Sequence, residues 1–406
     1  MLCVAILSVV RPVSAAAEVE DSRPPGVIVA QTPLSKTQYI GSPSIAILPD
    51  GTYVASHDFF GKSGPNLRET HVYASHDRGE TWTPLASFPA ATWGSLFVHR
   101  GNLYHMAITD EPGNVVIRRS FDGGRTWSDP KDAHTGVLLS GKFHSAPVPV
   151  VVYGGRLWRA VEETVNDRKW PRHFGALMLS APVDADLLEA ANWTRTNCIV
   201  FDPAWLPGRR PGWLEGNAVV TPEGGVANVL RVNTELGPDA AYELQGPAAG
   251  IPRFEVAARA DVSADGRSLA FDPTTGFLHF PGGLSKFTIR HDAVSGRYWA
   301  LVNKVTRPHA ERAVETEPAA QRNVVILTSS ADLRHWTEHR VILQWRPGEL
   351  LTRKDRHGFQ YLDWQFDGDD LVAVARTAWN ADSFHNANYL TFHRVRDFRA
   401  EATAGK

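Results

Sequence analysis

One pattern of apolar and polar positions recurs six times along the chain: a short apolar strand, a tight turn carrying Gly or Asp, and a second apolar strand. The copies begin near Ser42 (SPSIAILPDGTYVASHD), Ser95 (SLFVHRGNLYHMAITD) and Ser145 (SAPVPVVVYGGRLWRAVEE). They continue near Glu215 (EGNAVVTPEGGVANVLRVN), Lys286 (KFTIRHDAVSGRYWALVNK) and Tyr361 (YLDWQFDGDDLVAVART). Turns such as Pro49-Asp50-Gly51 and Asp367-Gly368-Asp369 are hairpin signals, because Gly and Asp accept the backbone that a tight turn demands. A shorter box, S-x-D-x-G-x-T-W, runs from Ser75 to Trp82 and again from Ser120 to Trp127. Ser330-Ala-Asp332-Leu-Arg-His-Trp336 is a degenerate copy, and Ser180 with Asn192-Trp193 a weaker echo. In each box the Asp accepts bonds from turn amides, the Gly supplies a positive φ and the Trp covers the hairpin. The boxes therefore read as devices for stability, not as catalytic carboxylates.

Six hairpins at roughly 60 residues apiece predict an all-β, six-bladed β-propeller. The boxes follow copies one, two and five, so the repeated hairpin is expected inside and the box at the outer turn. Val27 to Ala30 and Ala387 to Phe392 are the strands expected to share one blade and close the ring. This makes 27–396 a single domain, with 397–406 as a tail. The polar stretch Arg307 to Ala320 reads as a surface loop. At the start, Leu2 to Val10 is apolar, and Val13-Ser14-Ala15-Ala16-Ala17 offers the small residues of a cleavage site. Residues 1–17 are expected to be a signal peptide and 18–26 a leader, which implies a secreted or periplasmic protein.

Composition narrows the function. Charged residues at 21% and apolar ones at 43% suit a globular chain, and the net charge of −2 leaves no basic surplus for nucleic acid. No segment has 18 uninterrupted apolar residues, so no membrane span is expected. With Cys3 in the signal, Cys198 remains alone, which excludes an intramolecular disulfide and a thiolate metal cluster. The 16 His show no tight metal spacing, and no cofactor is called for.

The inner strands of a propeller line a funnel. The second strands of the copies end on His57-Asp58, Asp110, Glu162-Glu163, Arg231, Asn303-Lys304 and Arg376. The first strands open on Ser42, Ser95, His144, Glu215, Asn217, Lys286 and Tyr361. Packing would prefer Val, Ile or Leu there, so the ring predicts a polar ligand site. A Tyr beside a carboxylate can be activated as a nucleophile, since the carboxylate takes the phenol proton.

The boxes and the order of these residues resemble the Asp-box (BNR-repeat) propellers of the sialidase superfamily, over essentially the whole mature chain. Glu215 and Arg231 in WLEGNAVVTPEGGVANVLRVN, Arg322 in QRNVVILTSSAD and Tyr361 in HGFQYLDWQFDGDD match the family's Glu, two of its Arg and its Tyr. The resemblance implies an exo-glycosidase removing a terminal, acidic sugar from a glycan. Tyr361 would be the nucleophile, Glu215 its base, and Arg231 and Arg322 the carboxylate clamp. Two features depart from the family. The Arg expected before a Pro in the first inner strand is missing from Gly41-Ser42-Pro43. The acid/base Asp has no counterpart in GKSGPNLRETHVYAS. Asp58 is the candidate acid, with Glu69 in reserve. His57, His144, Lys304, Arg376 and Asn217 are candidate substrate binders. Two other readings stay open. One is a polysaccharide lyase acting on a uronate, with Tyr361 or His144 as base and Arg231, Arg322 or Lys304 neutralising the carboxylate. The other is a non-catalytic glycan-binding propeller, in which Tyr361 and Glu215 need not touch.

Overall fold

The computed structural model describes residues 23–166, 169–206, 211–234, 243–245, 248–308, 316–349, 351–352 and 355–403. The expected signal peptide, most of the leader, the middle of the 307–320 loop and the end of the tail lie outside the described residues.

Each of the six sequence repeats forms an antiparallel strand pair. They are Ser44–Ile47 with Tyr53–Gly61, Thr92–His99 with Asn102–Ile108, and Val151–Tyr153 with Arg156–Thr164. The rest are Gly212–Val220 with Val226–Asn233, Thr288–Asp292 with Arg297–Asn303, and Gly358–Asp367 with Asp370–Ala378. Among the described residues the strands assort into five hydrogen-bonded sheets, of which one has nine strands. The fold is an all-β propeller. Val27–Gln31 pairs with Tyr389–Val395, so the two ends of the ring meet in one sheet.

Stacking of the sheets covers both faces of the inner strands. Burial there does not alternate along the strand, and every residue of Val226–Asn233 is buried, its Asn and Arg included. Trp213, Trp299 and Trp364 are completely buried between layers. A charged residue on such a strand costs free energy unless it is paired, which makes each one informative.

The boxes hold their turns as expected. Asp122 accepts from the Ser120 hydroxyl at 2.8 Å and from the Arg125 and Thr126 amides at 3.1 and 2.9 Å, while Trp127 Nε1 donates to the Gly124 carbonyl at 2.9 Å. In the third box Leu333 takes a φ of 63°, the conformation that Gly79 and Gly124 supply at 95° and 99°. Another such turn, Ser263 to Ser268, closes on Asp265. Burial alone would raise Asp122, but the Thr126, Ser120 and Arg125 bonds outweigh it and bring the carboxyl to about 2. Its stabilisation is present in full above the unfolded pKa and is lost as pH falls from there through the folded value of about 2. Asp122→Ala is expected to cost about 1 kcal/mol, read from urea unfolding, with turnover unchanged.

Candidate active site

Three of the inner strands carry a bulge at the same place. Thr92 faces Ile108 and Ser95 faces Met106; Leu214 faces Arg231 and Asn217 faces Val229; Gln360 faces Arg376 and Asp363 faces Val374. Two residues thus oppose one, and the first of each extra pair is Trp93, Glu215 or Tyr361. All three have positive φ, at 54°, 56° and 58°. Non-glycine residues in this region cost about 1 kcal/mol or more each. Bulges re-aim side chains, and these turn an indole, a carboxylate and a phenol toward a common centre. The Trp93 and Tyr361 rings lie 6.4 Å apart at 29°.

The residue two places on fastens each bulge to its neighbour. The Ser95 hydroxyl donates to the Val148 carbonyl at 3.0 Å. The Asn217 amide donates to the Phe287 carbonyl at 3.2 Å and accepts from the Ile289 N–H at 2.9 Å. Asp363 accepts from the Ser44 hydroxyl at 2.7 Å and the Ile45 N–H at 3.1 Å.

At the centre the Tyr361 hydroxyl donates to Glu215 Oε1 at 2.8 Å. Arg231 Nη1 donates to Glu215 Oε2 at 2.8 Å, and its Nε to the Leu284 carbonyl at 2.8 Å. Burial would raise Glu215, but Arg231, His144 and the Tyr361 bond hold it below the usual carboxylate range. Burial and the Glu215 charge push the Tyr361 phenol up to about 12, against the pull of Arg231, Arg376 and Arg322. The resting pair is therefore a protonated phenol against an ionised carboxylate, the arrangement a base-activated nucleophile needs.

Two further arginines border Tyr361. Arg322 is 6% exposed, and its Nε and Nη1 have no hydrogen-bond partner. Arg376 is fully buried, and its Nε and Nη1 also lack partners. Its Nη2 donates to the His385 carbonyl at 2.6 Å, and its guanidinium stacks 4.1 Å from the Phe60 ring and 5.0 Å from the Tyr361 ring. Burial takes Arg322 down to about 9 and Arg376 to about 10. Buried cations with unmet donors call for an anion.

His144 and Glu162 form the opposite wall. His144 Nδ1 lies 3.1 Å from Glu162 Oε2, and Glu162 Oε1 accepts the Gly216 N–H at 2.9 Å, so Glu162 also pins the backbone just after Glu215. Burial would lower His144, yet the bond and charge of Glu162, with Glu111 and Glu215, raise it above 6.5. Its ion pair stabilises the fold below the unfolded pKa, and that contribution is lost as pH rises through the higher folded value. An imidazole NMR titration is expected to place the midpoint above 6.5. In Glu162→Gln the midpoint falls below it, and an unchanged midpoint would refute the pairing.

Five sequence expectations are corrected. Asp58 is not free to act as an acid. Its carboxylate accepts from the Ser42 N–H at 2.5 Å, the Trp93 N–H at 2.6 Å and the Thr92 hydroxyl, and so holds the Trp93 bulge. The reserve Glu69 pairs with His71 at 3.1 Å. His57 points into its own sheet, 3.2 Å from the Tyr73 hydroxyl, and burial lowers it to about 3. Asn217 is the inter-strand clamp already described. The Lys304 ammonium pairs with Glu338 on the outer strand Trp336–Gln344, because side chains alternate and its neighbour Asn303 faces Phe359. Lys304→Ala is accordingly expected to leave kcat/KM within about twofold.

Sequence reasoning missed Trp93, Glu162's link to Gly216, and the stack of Phe60 on Arg376. It also missed Glu111, an exposed residue whose charge reaches both His144 and Arg376. Among the described residues no group of three or more His, Cys, Asp or Glu is arranged to hold a metal ion, and no helix is long and apolar enough to cross a membrane.

The architecture and the centre together define an all-β propeller with an arginine-rich funnel around a Tyr–Glu pair. No family model matches the chain, and no curated protein sequence matches it. Solved structures are similar in fold. An α-L-arabinofuranosidase from Fusarium graminearum, with an iminosugar inhibitor, aligns over 93% of this chain and 98% of its own, at 11% identity and a TM-score of 0.58. A Hadza microbial sialidase aligns over 88% of this chain and 66% of its own, at 16% identity and a TM-score of 0.53. Trypanosoma rangeli sialidase, with the inhibitor DANA, aligns over 93% of this chain and 59% of its own, at 12% identity and a TM-score of 0.52.

Proposed function

We propose that the protein is a six-bladed propeller glycosidase that removes a terminal acidic sugar from a glycan. The observation carrying this reading is the 2.8 Å bond from Tyr361 to Glu215, set among three buried arginines. The blade count treats the nine-stranded sheet as two blades, because only Phe143 with Glu163 and His144 with Glu162 join its halves. In the reaction Tyr361 attacks the anomeric carbon while Glu215 Oε1 takes the phenol proton. A neutral nucleophile approaches an anionic sugar with less repulsion than a carboxylate would, the known exception to two-carboxylate catalysis. Arg322 and Arg376 give their unpaired N–H groups to the sugar carboxylate. Arg231 is already committed to Glu215, so the expected role of Arg231 shifts from clamp toward holding the base. Arg376 supplies the charge that the missing first-strand arginine would have brought. The leaving oxygen takes its proton from Glu111 at the mouth, in place of Asp58. Water, giving a proton to Glu111, then breaks the glycosyl–tyrosine bond, and the departing phenolate takes back the proton held on Glu215. The neighbouring structures are glycosidases by name, which agrees with this reading without extending it.

A second reading rests on Glu162, which bonds the peptide next to Glu215 and brings two carboxylates into one site. A two-carboxylate glycosidase acting on a neutral sugar would use them without Tyr361. Release of sugar from a panel of terminal sialosides and uronosides beside arabinofuranosides tests both. Cleavage of acidic glycosides that Tyr361→Phe abolishes supports the first. Cleavage of arabinofuranosides alone, surviving that substitution, supports the second. Ultraviolet absorbance of an unsaturated uronate product would indicate the lyase instead.

A further inference from the structure

We propose that Trp170 is the platform on which the neighbouring sugar of the glycan stacks, on the leaving-group side of the bond that is cut. The proposal deepens the glycosidase reading and takes from it only which side is the leaving side. Trp170 is the one exposed tryptophan among the thirteen, at 45% of its surface. Its indole lies 5.7 Å from the Arg231 guanidinium carbon, inside cation–π range. Arg231 in turn bonds Glu215, which bonds Tyr361. Exposure rises along this line, from Glu215 at 2% and Arg231 at 4% to Trp170 at 45%. The ring thus lies on the solvent side of the catalytic pair.

The segment that carries Trp170 is fixed to the site at both ends. Pro171 lies against Gly212, where any Cβ would come within 2.9 to 3.0 Å of it, and Gly212 opens the strand bearing Glu215. The Phe174 ring lies 4.5 Å from the His144 ring, and His144 pairs with Glu162. Between them the Phe174 N–H donates to the Pro171 carbonyl at 3.2 Å, and the Val165 N–H to the His173 carbonyl at 2.9 Å. Strands end here, yet the chain holds a large apolar ring out in water beside a charged funnel. That placement is unfavourable for folding alone and favourable for a flat ligand. The arginines suit an acidic group below the rim. The indole is neutral and broad, and it suits the C–H face of a neutral hexopyranose. A terminal sugar in the funnel would leave its attached neighbour at the rim, against this ring.

Binding can be read apart from turnover. The full chain carrying Tyr361→Phe is titrated with methyl β-galactopyranoside, methyl β-glucopyranoside and methyl α-mannopyranoside by saturation-transfer NMR. At least one probe is expected to bind and to weaken about five- to tenfold on adding Trp170→Ala, with Trp170→Phe keeping most of the affinity. No binding by any probe, or equal binding by the Ala variant, overturns the subsite. In kinetics, Trp170→Ala should raise KM for an oligosaccharide but not for the methyl glycoside of its terminal sugar. Equal increases would put the ring on the terminal sugar and overturn the assignment. If the probes bind through Trp170 and no glycoside is cleaved, the subsite stands and the glycosidase reading falls.

Discussion

Tyr361→Phe is expected to lower kcat by about 10³-fold or more while ligand affinity stays within a few-fold. The substitution removes one oxygen and keeps the ring that packs against Trp93 and Arg376. Only the atom that donates to Glu215 at 2.8 Å disappears. A phenol held at about 12 does not ionise at neutral pH, so attack depends on Glu215 taking the proton as the bond forms. Activity should therefore fall as pH drops through the depressed Glu215 pKa, where the base becomes protonated. Glu215→Gln should lose activity to a similar degree at every pH, because its amide cannot accept the proton and stay a base. If Tyr361→Phe retained most of its turnover, the nucleophile would be another group, with Glu162 next in line.

The second large effect falls on Arg322. Arg322→Ala is expected to raise KM for an acidic glycoside by about 10- to 100-fold, the worth of charge-assisted bonds to a carboxylate. The same change should leave stability equal or improved. Arg322 is buried with two unpaired nitrogens, and burial holds it down to about 9. The folded protein gives up desolvation energy to keep it, and removing an unpaired buried charge returns that energy. Weaker binding together with an undiminished urea midpoint distinguishes a ligand-facing arginine from a structural one. The methyl ester of the same sugar should bind the parent poorly and lose little further in the variant.

Much of the fold was legible because propeller repeats leave a periodic trace. Turns such as Pro49-Asp50-Gly51 mark hairpins, and Val27 to Ala30 reads as a closing strand from its apolar pattern alone. The Tyr361–Glu215–Arg231 cluster was legible through equivalent positions in the repeats. The bulges were not, since a bulge is a relation between two strands and depends on register. Without the Trp93 bulge, nothing in the sequence shows that its N–H and the Thr92 hydroxyl occupy Asp58. Parity along a strand decided two other residues. His57 and Lys304 stand one place away from residues that face the funnel or the next blade, and the alternation turns them to the outer strands. Trp170 lies outside the repeated hairpins, so the periodic reading passed over it.

The covalent bond that Tyr361 forms with the sugar can be trapped. Purified protein is to be incubated with a fluorinated terminal acidic glycoside carrying a good leaving group, then digested and mapped by mass spectrometry. A glycosyl adduct on the peptide containing Tyr361, absent from Tyr361→Phe, is the predicted result. An adduct on Glu215 or Glu162, or hydrolysis of arabinofuranosides with Tyr361 dispensable, would contradict it.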